Sequence, residues 1–79
     1  MDFDTLLLKI IDLAREEFKF EQEISEATTA ADVSTWNSLS HVMFVTSIER
    51  AFDIKFDLLQ MIGMKSIGDI ARATHKMIQ

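Results

Sequence analysis

The first part of the chain places apolar and charged residues on opposite sides of a helical wheel. Asp2 or Asp4, at the start of this pattern, can supply a side-chain oxygen to cap the first turn. The spacing predicts an amphipathic helix over about residues 3–19. Its apolar side comprises Phe3, Leu6, Leu7, Ile10, Ala14 and Phe18, and its charged side comprises Lys9, Asp12, Arg15, Glu16 and Lys19.

The helical periodicity fades between Phe20 and Trp36. Polar residues dominate this stretch, and its apolar residues are isolated at Ile24, Val33 and Trp36. We therefore predict a long loop that is fixed to the rest of the protein at those three positions. A loop of this length is uncommon in a compact domain, so either it serves a function or part of it, such as a short helical turn, is regular structure.

A second helix is predicted from Asn37 or Ser38, either of which can cap it, to about Phe52. It has two apolar stripes about 150° apart on the wheel. Either other helices cover both stripes, or the second stripe is a docking face for partner proteins. The first stripe comprises Phe44, Val45, Ile48, Ala51 and Phe52, and the second comprises Leu39, Val42, Met43 and Thr46.

Two further helices are predicted near the end of the chain. A short one spans residues 57–62 and ends at Gly63, which suits a left-handed C-cap. A longer one spans about 67–77 behind a capping box of Ser66 and Asp69. The pattern thus predicts a single all-α domain over residues 1–79, a small four-helix bundle with three longer helices, one short helix and a long loop after the first. Its predicted core is Leu6, Leu7, Ile10, Ala14, Phe18, Phe44, Val45, Ile48, Phe52, Ile62, Ile67, Ile70 and Ala71.

Composition and charge narrow the function classes. The 79 residues include 13 acidic and 8 basic ones, a formal charge of −5, without a basic cluster for nucleic-acid phosphates. Cysteine is absent, which excludes disulfides, thiolate metal ligands and a thiol nucleophile. No apolar run approaches the roughly 18 residues of a membrane helix, and the start of the chain is acidic where a secretory signal is basic. We therefore expect a cytoplasmic protein that neither binds nucleic acid nor inserts into membranes.

Candidate catalytic and metal-binding residues are few. Neither histidine, His41 or His75, has a second ligand at a persuasive spacing, so no metal site is predicted. A hydrolase would have to use Ser38, His41 and Asp32, but no oxyanion-hole or nucleophile-elbow motif accompanies them. We therefore expect a protein that is not an enzyme and has no catalytic residues.

Three blocks of the sequence form a further pattern. The first is Trp36-Asn37-Ser38-Leu39-Ser40-His41-Val42, the second runs from Ile48 to Phe56, and the third is Ser66-Ile67-Gly68-Asp69-Ile70. In this order the blocks resemble the acyl carrier protein family, in which an Asp-Ser-Leu motif, often preceded by Trp, begins the second helix. An acidic, Phe-containing stretch ends this helix, and a Ser/Thr-Val/Ile-x-Asp stretch begins the last one.

The resemblance implies that a phosphopantetheinyl transferase esterifies the Ser38 hydroxyl with 4′-phosphopantetheine. The terminal thiol of this arm would hold an acyl or aminoacyl group as a thioester, with Asn37 and His41 beside the attachment point. The protein would be a monomer that moves its cargo between acyl-loading and acyl-using biosynthetic enzymes, in fatty acid, polyketide or related metabolism. The residues expected to contact partners are Leu39, Val42, Met43, Thr46 and Glu49.

The chain departs from the family pattern in two ways. Asn37 stands where most members have aspartate, so this position keeps a capping oxygen but loses a charge. The second helix also lacks the acidic residues that steer basic partners in many carriers, which predicts docking by apolar contacts and a weak dependence on salt. The alternative function is a carrier-like helical interaction module that is never modified.

Overall fold

The computed structural model describes residues 1–79 and contains four helices. They are α1 (Phe3–Phe18), α2 (Ser38–Phe52), α3 (Leu58–Gly63) and α4 (Ile67–Ile78). No strand is present, and the only β-type pairing is one antiparallel bridge between Thr29 and Ser66. Helix α1 packs against both α2 and α4, and the long loop connects α1 to α2. The predicted all-α bundle of three longer helices and one short helix is confirmed.

The core lies where α1, α2 and α4 meet, and the long loop closes it. Ile24, Val33 and Trp36 are all buried, so the loop is fixed at the three predicted positions. Trp36 stacks on Phe18 with 5.0 Å between ring centroids, and Phe44 meets Phe18 edge-on at 5.1 Å. An aromatic cluster therefore joins the loop, α1 and α2, which suits a small domain because each large ring buries much apolar area.

The predicted core is wrong at Ile62, whose side chain is 62% exposed. Helix α3 has no buried residue and lies on the outside of the bundle. Phe56 before it and Met64 after it enter the core instead. Two flanking anchors therefore hold this segment, and Ile62 between them faces outward. Leu7 and Phe52, also predicted as core, are half-buried and pack at its edge.

The predicted left-handed C-cap at Gly63 is also wrong. No glycine has a positive φ, and Met64, which follows the last residue of α3, is extended. The residues that do adopt the left-handed conformation are Lys19 after α1 and Asp53 after α2, with φ of 53° and 54°. Lys19 and Asp53 each follow the last residue of a longer helix. A left-handed residue is common there because it lets following N–H groups bond to the last, otherwise unpaired carbonyls of the helix.

The helix starts follow the predicted capping chemistry. Asp2 caps α1 by accepting a hydrogen bond from Thr5 N at 2.8 Å. At α4, Ser66 Oγ accepts from Asp69 N at 3.0 Å, which confirms the predicted capping box. The Asp69 carboxylate accepts from the backbone N–H of Lys65 and then of Ser66 and pairs with Arg72, and these contacts lower its pKa. The stability that these contacts of ionised Asp69 provide is fully present above the ordinary pKa of aspartate. It is lost as the pH falls through the lowered pKa of Asp69.

The long loop is fastened to the start of α4 through its backbone. Gly68 N donates to Glu26 O at 2.8 Å, and Ile67 N donates to Thr28 O at 2.9 Å. A Cβ at position 68 would lie 2.5 Å from Glu26 Cγ and 2.9 Å from Glu26 O. Only glycine therefore lets the loop approach α4 this closely.

The two glycines are expected to respond oppositely to alanine. Gly68→Ala should lower the free energy of unfolding by about 1–3 kcal/mol, because the new methyl group overpacks against the loop backbone. Gly63→Ala should raise it by about 0.5 kcal/mol, because no atom lies within 4 Å of the new Cβ and alanine favours the helix. Urea unfolding of both variants measures this, and equal effects would contradict the described loop contact.

Candidate functional site

The start of α2 is built by reciprocal hydrogen bonds between Asn37 and Ser40. Asn37 Oδ1 accepts from Ser40 N at 3.0 Å, and Ser40 Oγ accepts from Asn37 N at 2.8 Å. These bonds satisfy two backbone donors and make Asn37 the N-cap and Ser38 the first helical residue. Capping needs only an acceptor oxygen, so asparagine performs it without a charge.

The two serine hydroxyls of this first turn differ in availability. Ser40 is half-buried, and its hydroxyl also donates to Thr35 O at 2.7 Å. Ser38 is exposed, and its hydroxyl takes no part in the side-chain hydrogen bonds of the structure. Of the two, Ser38 therefore has the hydroxyl that an external enzyme can reach without breaking a contact.

Ser38 borders an open cavity of about 530 Å³ between the start of α2 and α3. Lys65 is the one charged side chain at the cavity. An apolar cavity with a cation and a free hydroxyl suits a tethered group that is anionic near its attachment point. The other lining residues are Ala30, Trp36, Asn37, His41, Val42, Leu58, Met61, Ile62 and Met64.

His41 borders the same cavity, but both of its ring nitrogens are engaged. Nδ1 lies 3.0 Å from Trp36 Nε1, and Nε2 lies 3.0 Å from Met61 O. The predicted contact between His41 and the arm therefore requires one of these hydrogen bonds to give way.

The Ser-His-Asp arrangement needed by a hydrolase is not assembled. The His41 nitrogens bond to Trp36 and Met61, and Asp32 Oδ2 accepts from Thr29 N and Oγ1 at 3.0 and 3.2 Å. The fold brings together no group of three or more histidine or acidic side chains that would hold a metal ion.

No helix is both long and apolar enough to span a membrane.

The second apolar stripe of α2 is not covered by another helix. Leu39 is 71% exposed, and Val42 and Met43 are each 49% exposed. Thr46 is half-buried, and its hydroxyl donates to Val42 O at 2.8 Å. The carboxylate of Glu49 accepts a hydrogen bond from Phe56 N at 2.7 Å. Glu49, which was predicted to contact partners, therefore stabilises the turn after α2.

Helix α3 adds apolar residues that the sequence pattern did not assign to the site. Leu58, Leu59 and Ile62 are 68%, 81% and 62% exposed. Val42, Leu58 and Ile62 line the cavity at Ser38. Together with the exposed Leu39, Met43 and Leu59 of the same two helices, they make up the apolar surface that we call the α2–α3 face (Leu39, Val42, Met43, Leu58, Leu59 and Ile62). The sequence indicated these residues only by the excess of apolar residues in α3. A helix of six residues is too short for its pattern to show which side is buried.

The fold and the exposed serine define a small helical bundle suited to carrying a group on the start of its second helix. The NMR structure of the holo acyl carrier protein from Geobacter metallireducens superimposes with a TM-score of 0.84, is 30% identical, and covers 92% of this chain and 85% of its own. A candidate acyl carrier protein from Mycobacterium tuberculosis shares the fold with a TM-score of 0.83 at 18% identity, over 90% of this chain and 96% of its own.

The comparison with the Geobacter protein shows that this chain belongs to the acyl carrier protein family. No protein-family model and no curated protein matches the sequence. The family is therefore established by structural superposition together with the sequence identity over most of the chain, and it agrees with the resemblance seen in the three sequence blocks.

Proposed function

We propose that this carrier protein holds an acyl or aminoacyl group as a thioester on a 4′-phosphopantetheine arm attached to Ser38. The observation that carries this proposal is the exposed, unbonded Ser38 hydroxyl at the first position of α2. Ser40, two residues away, is instead committed to the cap by its hydrogen bonds.

The residues around Ser38 fit such an arm. The open cavity beside Ser38 gives the arm room, and Lys65 is the one residue lining it that has a positive charge to offer to an anionic group. The unpaired amides at the start of a helix also favour an anion there. When attached, the arm supplies a terminal thiol that forms the thioester. Because the chain has no cysteine, this thiol has no competitor in the protein.

The role of the protein is to present the cargo, while separate enzymes perform the chemistry. A tether raises the local concentration of the cargo at each partner and lets partners recognise the protein surface. The proposed partners are a phosphopantetheinyl transferase and the enzymes that load and use the acyl group. In this proposal the protein is a cytoplasmic monomer, and residues 1–79 act as one domain.

Partner recognition is proposed to depend on the α2–α3 face. Helix α2 contains one acidic and one basic residue, Glu49 and Arg50, so its formal charge is zero. Glu49 is turned to the backbone of Phe56, which leaves Arg50 as the exposed charge of this helix. Apolar burial rather than charge pairing is therefore expected to provide most of the binding energy.

The test of the proposal is the intact mass of the purified protein before and after incubation with coenzyme A and a broad-specificity phosphopantetheinyl transferase. We expect the wild type to gain the mass of one phosphopantetheine, and peptide mapping should place it on the peptide that contains Ser38. A folded protein that gains no mass would favour the unmodified interaction module instead.

A further inference from the structure

His41 makes two hydrogen bonds, one from each ring nitrogen, and together they determine which of the two nitrogens carries the hydrogen. The indole Nε1–H of Trp36 is only a donor, so His41 Nδ1 at 3.0 Å must accept and carries no hydrogen. The ring proton then lies on Nε2, which donates to Met61 O at 3.0 Å. The His41 and Trp36 rings are nearly parallel, with 14° between their planes. A neutral imidazole thus links the loop end, α2 and α3.

Helix α3 itself has little else that attaches it to the bundle, although Phe56 and Met64 on either side of it enter the core. None of its six residues is buried, and Met61 is the one that packs against the core. The other side-chain and cap hydrogen bonds of this segment are local, between Asp57 and Gln60 and between Met61 and its neighbours. The bond from His41 is the only one that joins residues 57–64 to a distant part of the chain.

His41 also lines the cavity beside Ser38, and the two helices that it joins form the walls of this cavity. One wall of this cavity is α2 at Ser38 and Val42, and the other is α3 at Leu58 and Ile62. The distance between the two helices therefore decides both the width of the cavity and the position of the α3 half of the α2–α3 face.

We infer that His41 is a positioning residue that fastens α3 to α2 and so places the surface that partners use around Ser38. Trp36 acts with it, because the N–H of the buried indole donates to His41 alone and holds the imidazole in the orientation that reaches Met61 O. The structural part of this inference is independent of the arm, and its consequence for partners rests on the proposed function.

The test compares His41→Phe, His41→Gln and His75→Phe. Phenylalanine keeps a flat ring but makes neither hydrogen bond, whereas the glutamine amide offers both an acceptor and a donor. His75, the other histidine, lies on α4 beside Met1 O and Phe3, so it controls for the substitution itself. Amide hydrogen exchange is measured by NMR on the unmodified protein at neutral pH.

We expect exchange of the amides at residues 61–64 to become about five-fold faster in His41→Phe, as for the loss of one hydrogen bond. Exchange in α1 and α4 should stay unchanged, and His41→Gln should restore the slow rate. Unchanged exchange at 61–64 in His41→Phe, or an equal increase in all four helices, would overturn the inference. Because this measurement uses no arm, it gives a result whether or not Ser38 is modified.

The consequence for partners is read from transferase kinetics with the same variants. His41→Phe should raise the KM for the carrier about five-fold and leave kcat unchanged, since the docking surface moves while the Ser38 hydroxyl stays available. His41→Gln and His75→Phe should retain the wild-type KM. An unchanged KM in His41→Phe would overturn the placement of the partner surface by this residue.

Discussion

Replacing Ser38 with alanine is expected to abolish attachment of phosphopantetheine while leaving the stability of the protein within about 0.5 kcal/mol of the wild type. Ser40→Ala is expected to show the opposite pair of results. It removes the hydroxyl that bonds to Asn37 N and Thr35 O, and so should cost about 1 kcal/mol. Its Ser38 hydroxyl remains, and so attachment should persist. Intact mass and urea unfolding measure the two properties on the same samples.

Comparing Ser38→Ala with Ser40→Ala distinguishes the attachment of phosphopantetheine from the capping of α2, because each variant is the control for the other. Attachment that survives in Ser38→Ala would show that another hydroxyl takes the group. Loss of attachment in a folded Ser40→Ala protein would show that the geometry of the cap, and not only the Ser38 hydroxyl, is required. In that case the Asn37–Ser40 capping box would itself belong to the recognition site.

Leu39→Ala is expected to raise the KM of the transferase for this carrier about ten-fold, with little change in stability. Leu39 is 71% exposed beside Ser38, so the truncation removes apolar contact area from the partner and not from the core. Leu8→Ala is the matched control, because Leu8 is 64% exposed on α1 and undergoes the same chemical change. We expect the KM of this control to equal that of the wild type.

The same assay tests whether charge or apolar contact controls docking. Raising the salt from about 0.05 M to about 0.5 M shortens the screening length severalfold, but the wild-type KM should change less than about three-fold. A steep rise of KM with salt, together with an unchanged KM in Leu39→Ala, would assign recognition to charges elsewhere on the acidic surface. A small salt effect with a large Leu39 effect would support the α2–α3 face.

Asn37 and the neutral α2 determine the charge of the site at Ser38. The residue before Ser38 keeps its capping role through Oδ1, so loss of the aspartate charge leaves the start of the helix intact. The cavity at Ser38 has Lys65 as its one charged side chain. Partners of this carrier are therefore expected to present an apolar surface to α2 and α3.

Much of this architecture was predictable from local sequence patterns. The amphipathic spacing of α1 and the Ser66–Asp69 capping box depend on neighbours within one helical turn, and both appear in the structure. At the starts of α1 and α2, the structure selects Asp2 and Asn37 from the two candidates that the sequence offered for each cap. The order of three sequence blocks also sufficed to indicate the family. Such features are determined by the sequence because their contacts are local.

Only the tertiary structure decided which apolar residues are buried and which polar groups stay free. Ile62 was predicted in the core, yet Phe56 and Met64 take the buried positions on either side of α3. The contacts of His41 with Met61 and of Gly68 with Glu26 join residues far apart in sequence, so no local pattern reveals them. The sequence by itself determined the helices, the type of residue that caps their starts and the candidate serine. Packing of the whole chain determined the outward face of α3 and the cavity beside Ser38, because each depends on contacts between separate elements.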